Sequence, residues 1–392
     1  MLNLNIDLSR GKPCSAQLDI SADMLNCNDY LTVNGIDCRN YSVIDGIPEI
    51  KNIFEEIFDC SQDEIFIGGN SSLNLIYSVL EIAILKGFNE SSEPLFNAKK
   101  KFLCPCPGYD RHFNIAEYLG FELIPIKLDE NGPDMCKIES LVENDEDVKG
   151  IFCVPVYSNP DGYVYSDETV LRFAKLKPKA KDFKIFWDNA YMLHHFTDEE
   201  VAIPNLLNEA KKYGNENMIY MFFSTSKITF PGAGISAIAS SRENIKYLKE
   251  NLMVTRICYD KLNQLRHAKY LKNLDNIKSI MKQHAKIIMP KFEIAFEILE
   301  KNFGKDNKYI SWTEPKGGYF FSLYLKNGLA KRVVERCKKL GIIFTDAGAA
   351  FPYRIDKNDS HIRFAPTYGS LEEIRIATEV LCKVVKDEAN IF

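Results

Sequence analysis

The segment Met218-Ile219-Tyr220-Met221-Phe222-Phe223 runs directly into Ser224-Thr225-Ser226-Lys227, so an apolar run stops at three hydroxyls and an amine. A run this short and this sharply bounded has the length of a buried strand rather than of a helix. Three other runs end the same way. Residues 102–106 lead into Pro107-Gly108-Tyr109, residues 151–156 into Ser158-Asn159-Pro160-Asp161-Gly162, and residues 185–187 into Asp188. Helical patterns lie among them. In residues 47–58, Ile50, Ile53, Phe54, Ile57 and Phe58 recur at helical spacing behind Pro48, a residue suited to a first turn. Residues 64–67 then read as a strand, Gly68-Gly69-Asn70-Ser71-Ser72 as a turn, and residues 73–85 as a helix. Strands alternating with helices predict an α/β domain with a mainly parallel sheet. Ligands of such sheets bind beyond the carboxyl ends of the strands, so these polar residues would share one edge.

The rhythm changes after residue 260. Residues 260–302 read as helical with a break at Pro290, residues 318–325 as a strand, 329–340 as a helix, 361–365 as a strand and 371–385 as a closing helix. This is the pattern of a smaller α+β domain. The expected division is a large domain over residues 46–284, with residues 1–45 and 285–392 forming a small domain with an N-terminal arm. A chain of 392 residues has room for both.

Composition excludes several classes. With 46% hydrophobic and 26% charged residues, the chain is an ordinary globular protein. The 49 Lys and Arg are outnumbered by 54 Asp and Glu, and no basic block offers itself to phosphates of nucleic acid. The 11 cysteines are odd in number and scattered, which fits reduced thiols better than a disulfide framework. Residues 1–10 lack the pattern of a secretion signal, and the apolar stretch 75–85 is interrupted by Glu81, short of the roughly 18 residues a membrane span needs. These features predict a cytoplasmic protein with no membrane or nucleic-acid partner.

Singly, the chemistry-bearing motifs are weak. Gly232-Ala233-Gly234-Ile235-Ser236-Ala237 matches a loose dinucleotide fingerprint, but it leads into a strand where that motif must open a helix. Gly68 to Ser72 would cap a helix, and its free N–H groups with the double glycine also suit a phosphate cup. Lys227 at a strand end could be desolvated enough to become a nucleophile, although a surface lysine is the plainer reading. Asp188 would be costly after Phe186-Trp187 without a partner, and either a helix cap or a protonated ring nitrogen would serve. Asn159 suits a turn, and His112 taken alone suits a satisfied core histidine. There is no G-x-S-x-G elbow, and His194-His195 lacks a spaced metal-ligand partner.

Their order changes the reading. Gly-Asn-Ser-Ser (69–72), Pro-Gly-Tyr-x-x-His (107–112), Asn-Pro-x-Gly (159–162), Asp-x-Ala-Tyr (188–191), Ser-x-Ser-Lys (224–227) and the late Arg363 follow one another over nearly the whole chain. The sequence thereby resembles the fold type I pyridoxal-phosphate aminotransferases. It is most similar to the aspartate aminotransferases of MocR type, through Asp37-Cys38-Arg39-Asn40-Tyr41, residues 260–267 and Arg363-Phe364-Ala365-Pro366-Thr367. The resemblance implies pyridoxal 5′-phosphate as cofactor, with Lys227 as its Schiff-base lysine and proton shuttle. It implies that Asp188 pairs with the pyridine nitrogen, that Asn159 and Tyr191 bond the ring's phenolate oxygen, and that Tyr109 stacks on the ring while His112 orients Asp188. Asn70, Ser71, Ser72, Ser224 and Ser226 would surround the phosphate, and Arg363 with Gly11 and Asn159 would take the substrate carboxylate. Tyr41 would reach a neighbouring subunit's phosphate, making the protein a homodimer with shared sites, and Arg39 would enter with it to meet the phosphate or a distal carboxylate. One departure stands out: many relatives carry a phosphate-binding arginine shortly after the lysine, where this chain has Gly234 and no arginine before Arg242.

The expected activity is a ping-pong transamination between amino acids and 2-oxo acids, with aspartate and 2-oxoglutarate as the favoured pair. Alternatives are a transaminase for neutral or aromatic amino acids, a C–S lyase using the same cofactor, and a regulator's effector-sensing domain. Against the last, the residues before Leu8 are too few for a winged helix.

Overall fold

In the strand Lys184–Asp188 every residue is buried, and successive side chains enter opposite cores: Ile185 and Trp187 one, Phe186 the other. The neighbouring Ile219–Ser224 divides likewise, with Met221 and Phe223 on one side and Tyr220 and Phe222 on the other. Such strands read as continuous apolar runs because both faces of the sheet are covered. The computed structural model, which describes residues 4–304 and 307–390, arranges them in an eight-stranded sheet. Its order is Ile65–Ile67, Ser236–Ser240, Ile219–Ser224, Lys184–Asp188, Val148–Cys153, Lys101–Cys106, Glu122–Asp129 and Gly132–Pro133.

The five strands from Ile219–Ser224 to Glu122–Asp129 pair in parallel. Ser236–Ser240 runs antiparallel to both its neighbours, so Ile65–Ile67 points the same way as the parallel set. The carboxyl ends of four motif-bearing strands, the Gly68-Gly69 turn and the entry to Ser236–Ser240 therefore meet on one edge. The glycine pair Gly232 and Gly234 opens that last strand, not a helix, which disposes of the dinucleotide reading.

A second sheet of three antiparallel strands, Ile310–Trp312, Phe321–Leu325 and His361–Phe364, has its own apolar core beneath the helices Ala330–Lys339 and Leu371–Ala389. Ile6–Asp7 pairs in parallel with Ile342–Ile343. Beyond it the N-terminal segment crosses to the other body: Ser21 Oγ donates to the Ile228 carbonyl and Tyr270 donates to that of Ile20.

One expectation needs correction. Pro290 does not end a helix. It lies inside the helix Leu274–Phe303, and the break falls earlier, at Lys272, with a positive φ of 60°, and Asn273, whose side chain caps Asn276. That helix joins the two cores, burying Ile277, Ile280 and Met281 in one and Ile288, Phe292 and Ala295 in the other. Burial of several such side chains, about 1.5–3 kcal/mol each, outweighs the roughly 3 kcal/mol an interior proline costs. The strand Glu122–Asp129 also went unread: Pro125 and alternating exposure disguise it. Among the described residues no helix is long and apolar enough to cross a membrane.

Candidate active site

A cavity of about 370 Å³ opens at the shared edge, with Tyr109, Asn159, Tyr191, Lys227, Gly11 and Arg363 in its wall. Lys227 ends a short turn, Thr225–Lys227, that follows directly on its strand. Thr225 anchors the turn: its N–H donates to the Ile235 carbonyl, and its hydroxyl accepts from Ile235 N–H at 2.9 Å. Behind the lysine is a buried polar group. Tyr319 donates to the Lys227 carbonyl at 3.4 Å, and Gln17 donates to Tyr319 at 2.8 Å and meets His284 at 3.0 Å. The Lys227 amine lies 5.1 Å from the Tyr191 ring centroid and 5.8 Å from that of Tyr319. Burial among these groups lowers the lysine's pKa, with Asp188 pulling the other way. A strand-end lysine is thus held where its charged form is less favoured than in water, the direction a nucleophilic amine needs.

Asp188 is buried at the end of its strand. One carboxylate oxygen, Oδ2, meets His112 Nε2 at 3.1 Å; the other, Oδ1, has no hydrogen-bond partner among the described residues. His112 is itself fixed, stacked on Phe152 at 4.8 Å with Tyr109 edge-on at 4.9 Å. Burial raises the Tyr109 hydroxyl to about 12 and that of Tyr191 well above its usual value, so both remain protonated donors.

The serines form the other side. Ser71 caps the helix Ser72–Lys86 by accepting from Asn74 N–H, Ser224 donates to Ser226 at 3.2 Å, and Ser226 donates to the Asn70 carbonyl at 2.7 Å. Two glycine-rich strand ends and a helix N-terminus make this the place for an anion. Gly234 backs the same group: a Cβ there would approach the Asn70 carbonyl at 3.0 Å and Ser226 Cα at 3.2 Å, so a side chain at this position would crowd the serines.

Arg363, on the strand His361–Phe364, is buried and multiply bonded. Nη1 donates to Asp110 at 2.9 Å and to Asn159 Oδ1 at 3.4 Å; Nη2 donates to Thr345 Oγ1 at 2.9 Å and to the Ser9 carbonyl at 3.1 Å. Asp110 and Thr345 were missed in the sequence. Asp110 adjoins the quoted Tyr109 and could have been suspected, whereas nothing near Thr345 signals its place. Arg10, Lys12 and Arg111 also line the cavity. Arg39 and Tyr41 do not. Arg39 is ion-paired with Asp37 at 2.7 Å and lies 3.8 Å from the Tyr30 ring centroid, and Tyr41 is 73% exposed.

A buried lysine beside an unpartnered aspartate oxygen, between an anion cup and a buried arginine, defines a pyridoxal-phosphate enzyme acting on amino acids. The residues fit that cofactor: the free Asp188 oxygen answers a protonated ring nitrogen, the cup a phosphate and the lysine an aldehyde. The comparison with known proteins agrees. The family model described as aspartate amino-transferase matches residues 2–390, and the chain belongs to this family. A Mycolicibacterium smegmatis protein named as an aminotransferase is 44% identical over 385 residues, 96% of this chain and 90% of the relative. The aspartate aminotransferase of Corynebacterium glutamicum is 38% identical over 381 residues, covering 96% and 88%. A crystal structure of an aspartate transaminase from that organism superposes with a TM-score of 0.95 at 37% identity, over 99% of this chain and 92% of that one. The chain is an aminotransferase of fold type I, and pyridoxal 5′-phosphate is its cofactor.

Proposed function

We propose that this aminotransferase moves the amino group of aspartate to 2-oxoglutarate. The observation that carries the reading is the cation excess of the cavity: Arg363 is joined there by Arg10, Lys12 and Arg111, against the two carboxylates of Asp110 and Asp346, which suits a dicarboxylic substrate. The relative named aspartate aminotransferase supports the same choice. When bound, the cofactor supplies an electron sink for the amino acid's α-carbon. Lys227 would hold it and would take up and return the substrate's α-proton at its amine. Asp188, aligned by His112, keeps the ring nitrogen protonated, and Asn159 and Tyr191 donate to the ring's phenolate oxygen. Tyr109 covers the ring face. Asn70, Ser71, Ser72, Ser224 and Ser226 hold the phosphate, and Arg363 takes the α-carboxylate beside Gly11 and Asn159. The working unit is a homodimer in the cytoplasm, with the exposed Tyr41 and Arg39 serving the partner's site.

The test is a panel of amino acids offered to the holoenzyme, scored by conversion of bound cofactor to its amine form. Aspartate and glutamate should convert it fastest. Faster conversion by alanine, phenylalanine or cysteine would assign a different donor, and no conversion by any amino acid would leave a sensor.

A further inference from the structure

We propose that Asp110 is a built-in competitor for the carboxylate site of Arg363, which every substrate must displace. The proposal rests on the reading of Arg363 as the α-carboxylate clamp. Of the groups that receive hydrogen bonds from this guanidinium, Asp110 alone is charged; Asn159, Thr345 and the Ser9 carbonyl are neutral. The negative charge on the clamp is therefore supplied by the protein's own carboxylate, at 2.9 Å.

The contact is of a kind that a substrate can better. Asp110 places one oxygen on Nη1 and none on Nη2, whose partners, Thr345 and the Ser9 carbonyl, are neutral. A substrate carboxylate entering in the guanidinium plane can use two parallel N–H groups, the stronger geometry for this pair. Two carboxylates on one arginine repel, which favours the release of Asp110 as the substrate enters. Leaving is easy. Its side chain is 21% exposed, and as the first residue of the helix Asp110–Tyr118 it keeps the favourable field of the helix N-terminus when it turns to water.

A competitor of this kind weakens every ligand with an α-carboxylate by one common factor, donor and acceptor alike, and does not touch the reaction once the ligand is bound. That is the signature of uniform binding: KM changes and kcat does not. A residue that merely held Arg363 in place would act the opposite way, since its removal would weaken ligands.

The experiment compares wild-type holoenzyme with Asp110→Asn, and with Asp110→Ser should the amide still bond Arg363 strongly. Maleate binding is measured by calorimetry, alongside KM and kcat for aspartate and 2-oxoglutarate. The neutral variants should bind maleate roughly 1.5- to 5-fold more tightly, the range for one partly exposed ion pair. Both KM values should fall by that same factor while kcat moves less than about twofold. Unchanged or weaker maleate binding in both variants would overturn the proposal. Arg363→Lys separates the two readings. If it leaves maleate affinity intact, the carboxylate site lies elsewhere and the reading of Arg363 fails; if it weakens maleate while the Asp110 variants change nothing, only the competitor is lost.

Discussion

At the lysine end of the cavity each side chain closes its own strand or turn, so Lys227, Asp188 and Ser224 arrive on the carboxyl edge of one sheet by virtue of their immediate neighbours. At the arginine end nothing is local. Arg363 comes from the three-stranded sheet, and its partners Ser9, Asp110, Asn159 and Thr345 come from four other segments, Asp110 from 253 residues away. The first arrangement is rigid because a buried ladder of strands holds it. The second joins two bodies with separate apolar cores, and its geometry depends on how they meet. On the proposed roles, the reacting groups sit in the stiffer part and the substrate carboxylate is met where the bodies face each other.

Mutations should separate the ends by the kind of effect as well as its size. Lys227→Ala should cost the most, lowering transamination by at least about 10⁴-fold and abolishing borohydride trapping of cofactor on the chain. Trapping on another lysine would break the assignment. Asp188→Ala should follow, lowering kcat by roughly 10²–10³-fold, as removal of one preorganised charge interaction does elsewhere. Circular dichroism should show the fold intact, and near-normal turnover would remove Asp188 from the site.

Arg363→Lys should act differently. A lysine cannot reproduce the planar pair, so KM for aspartate and for 2-oxoglutarate should each rise about 10–100-fold, while cofactor affinity, measured by absorbance titration, stays level. Loss of cofactor affinity would mean that the two ends are not separable.

The smallest effect concerns stability behind the lysine. His267, bonded to Thr229 at 2.9 Å, and His284, bonded to Gln17, are buried, and burial lowers both to about 4 from the usual 6.5. Below pH 6.5 the unfolded chain takes up protons that the folded chain refuses. Their contribution is therefore complete above 6.5 and lost as pH falls towards 4, at most about 3 kcal/mol for each. Urea unfolding of His284→Gln should show a shallower loss between pH 7 and 5 than wild type, even where its stability at pH 7 is lower. An unchanged slope would place the acid sensitivity elsewhere.

How much could be read beforehand follows the same division. The helix Pro48–Phe58 and the strand Lys184–Asp188 carry their signals in consecutive residues, and the expected elements fall within a residue or two of the observed ones. The alternating, proline-bearing Glu122–Asp129 gives no strand signal, and the passage of a helix through Pro290 runs against the expected break, because there burial against remote residues overrides local preference.

The sequence by itself determined which residues end buried strands, and hence that a lysine, an aspartate and a group of hydroxyls would share one edge. Apolar periodicity and turn chemistry act over a few residues, so their consequences are written along the chain. Only the tertiary structure decided that Asp110 rests on Arg363, that Gly234 presses against the serine group and that Arg10, Lys12 and Arg111 line the same cavity. Those contacts join segments whose approach is set by the packing of two cores against the N-terminal segment, and no short stretch of residues carries that information.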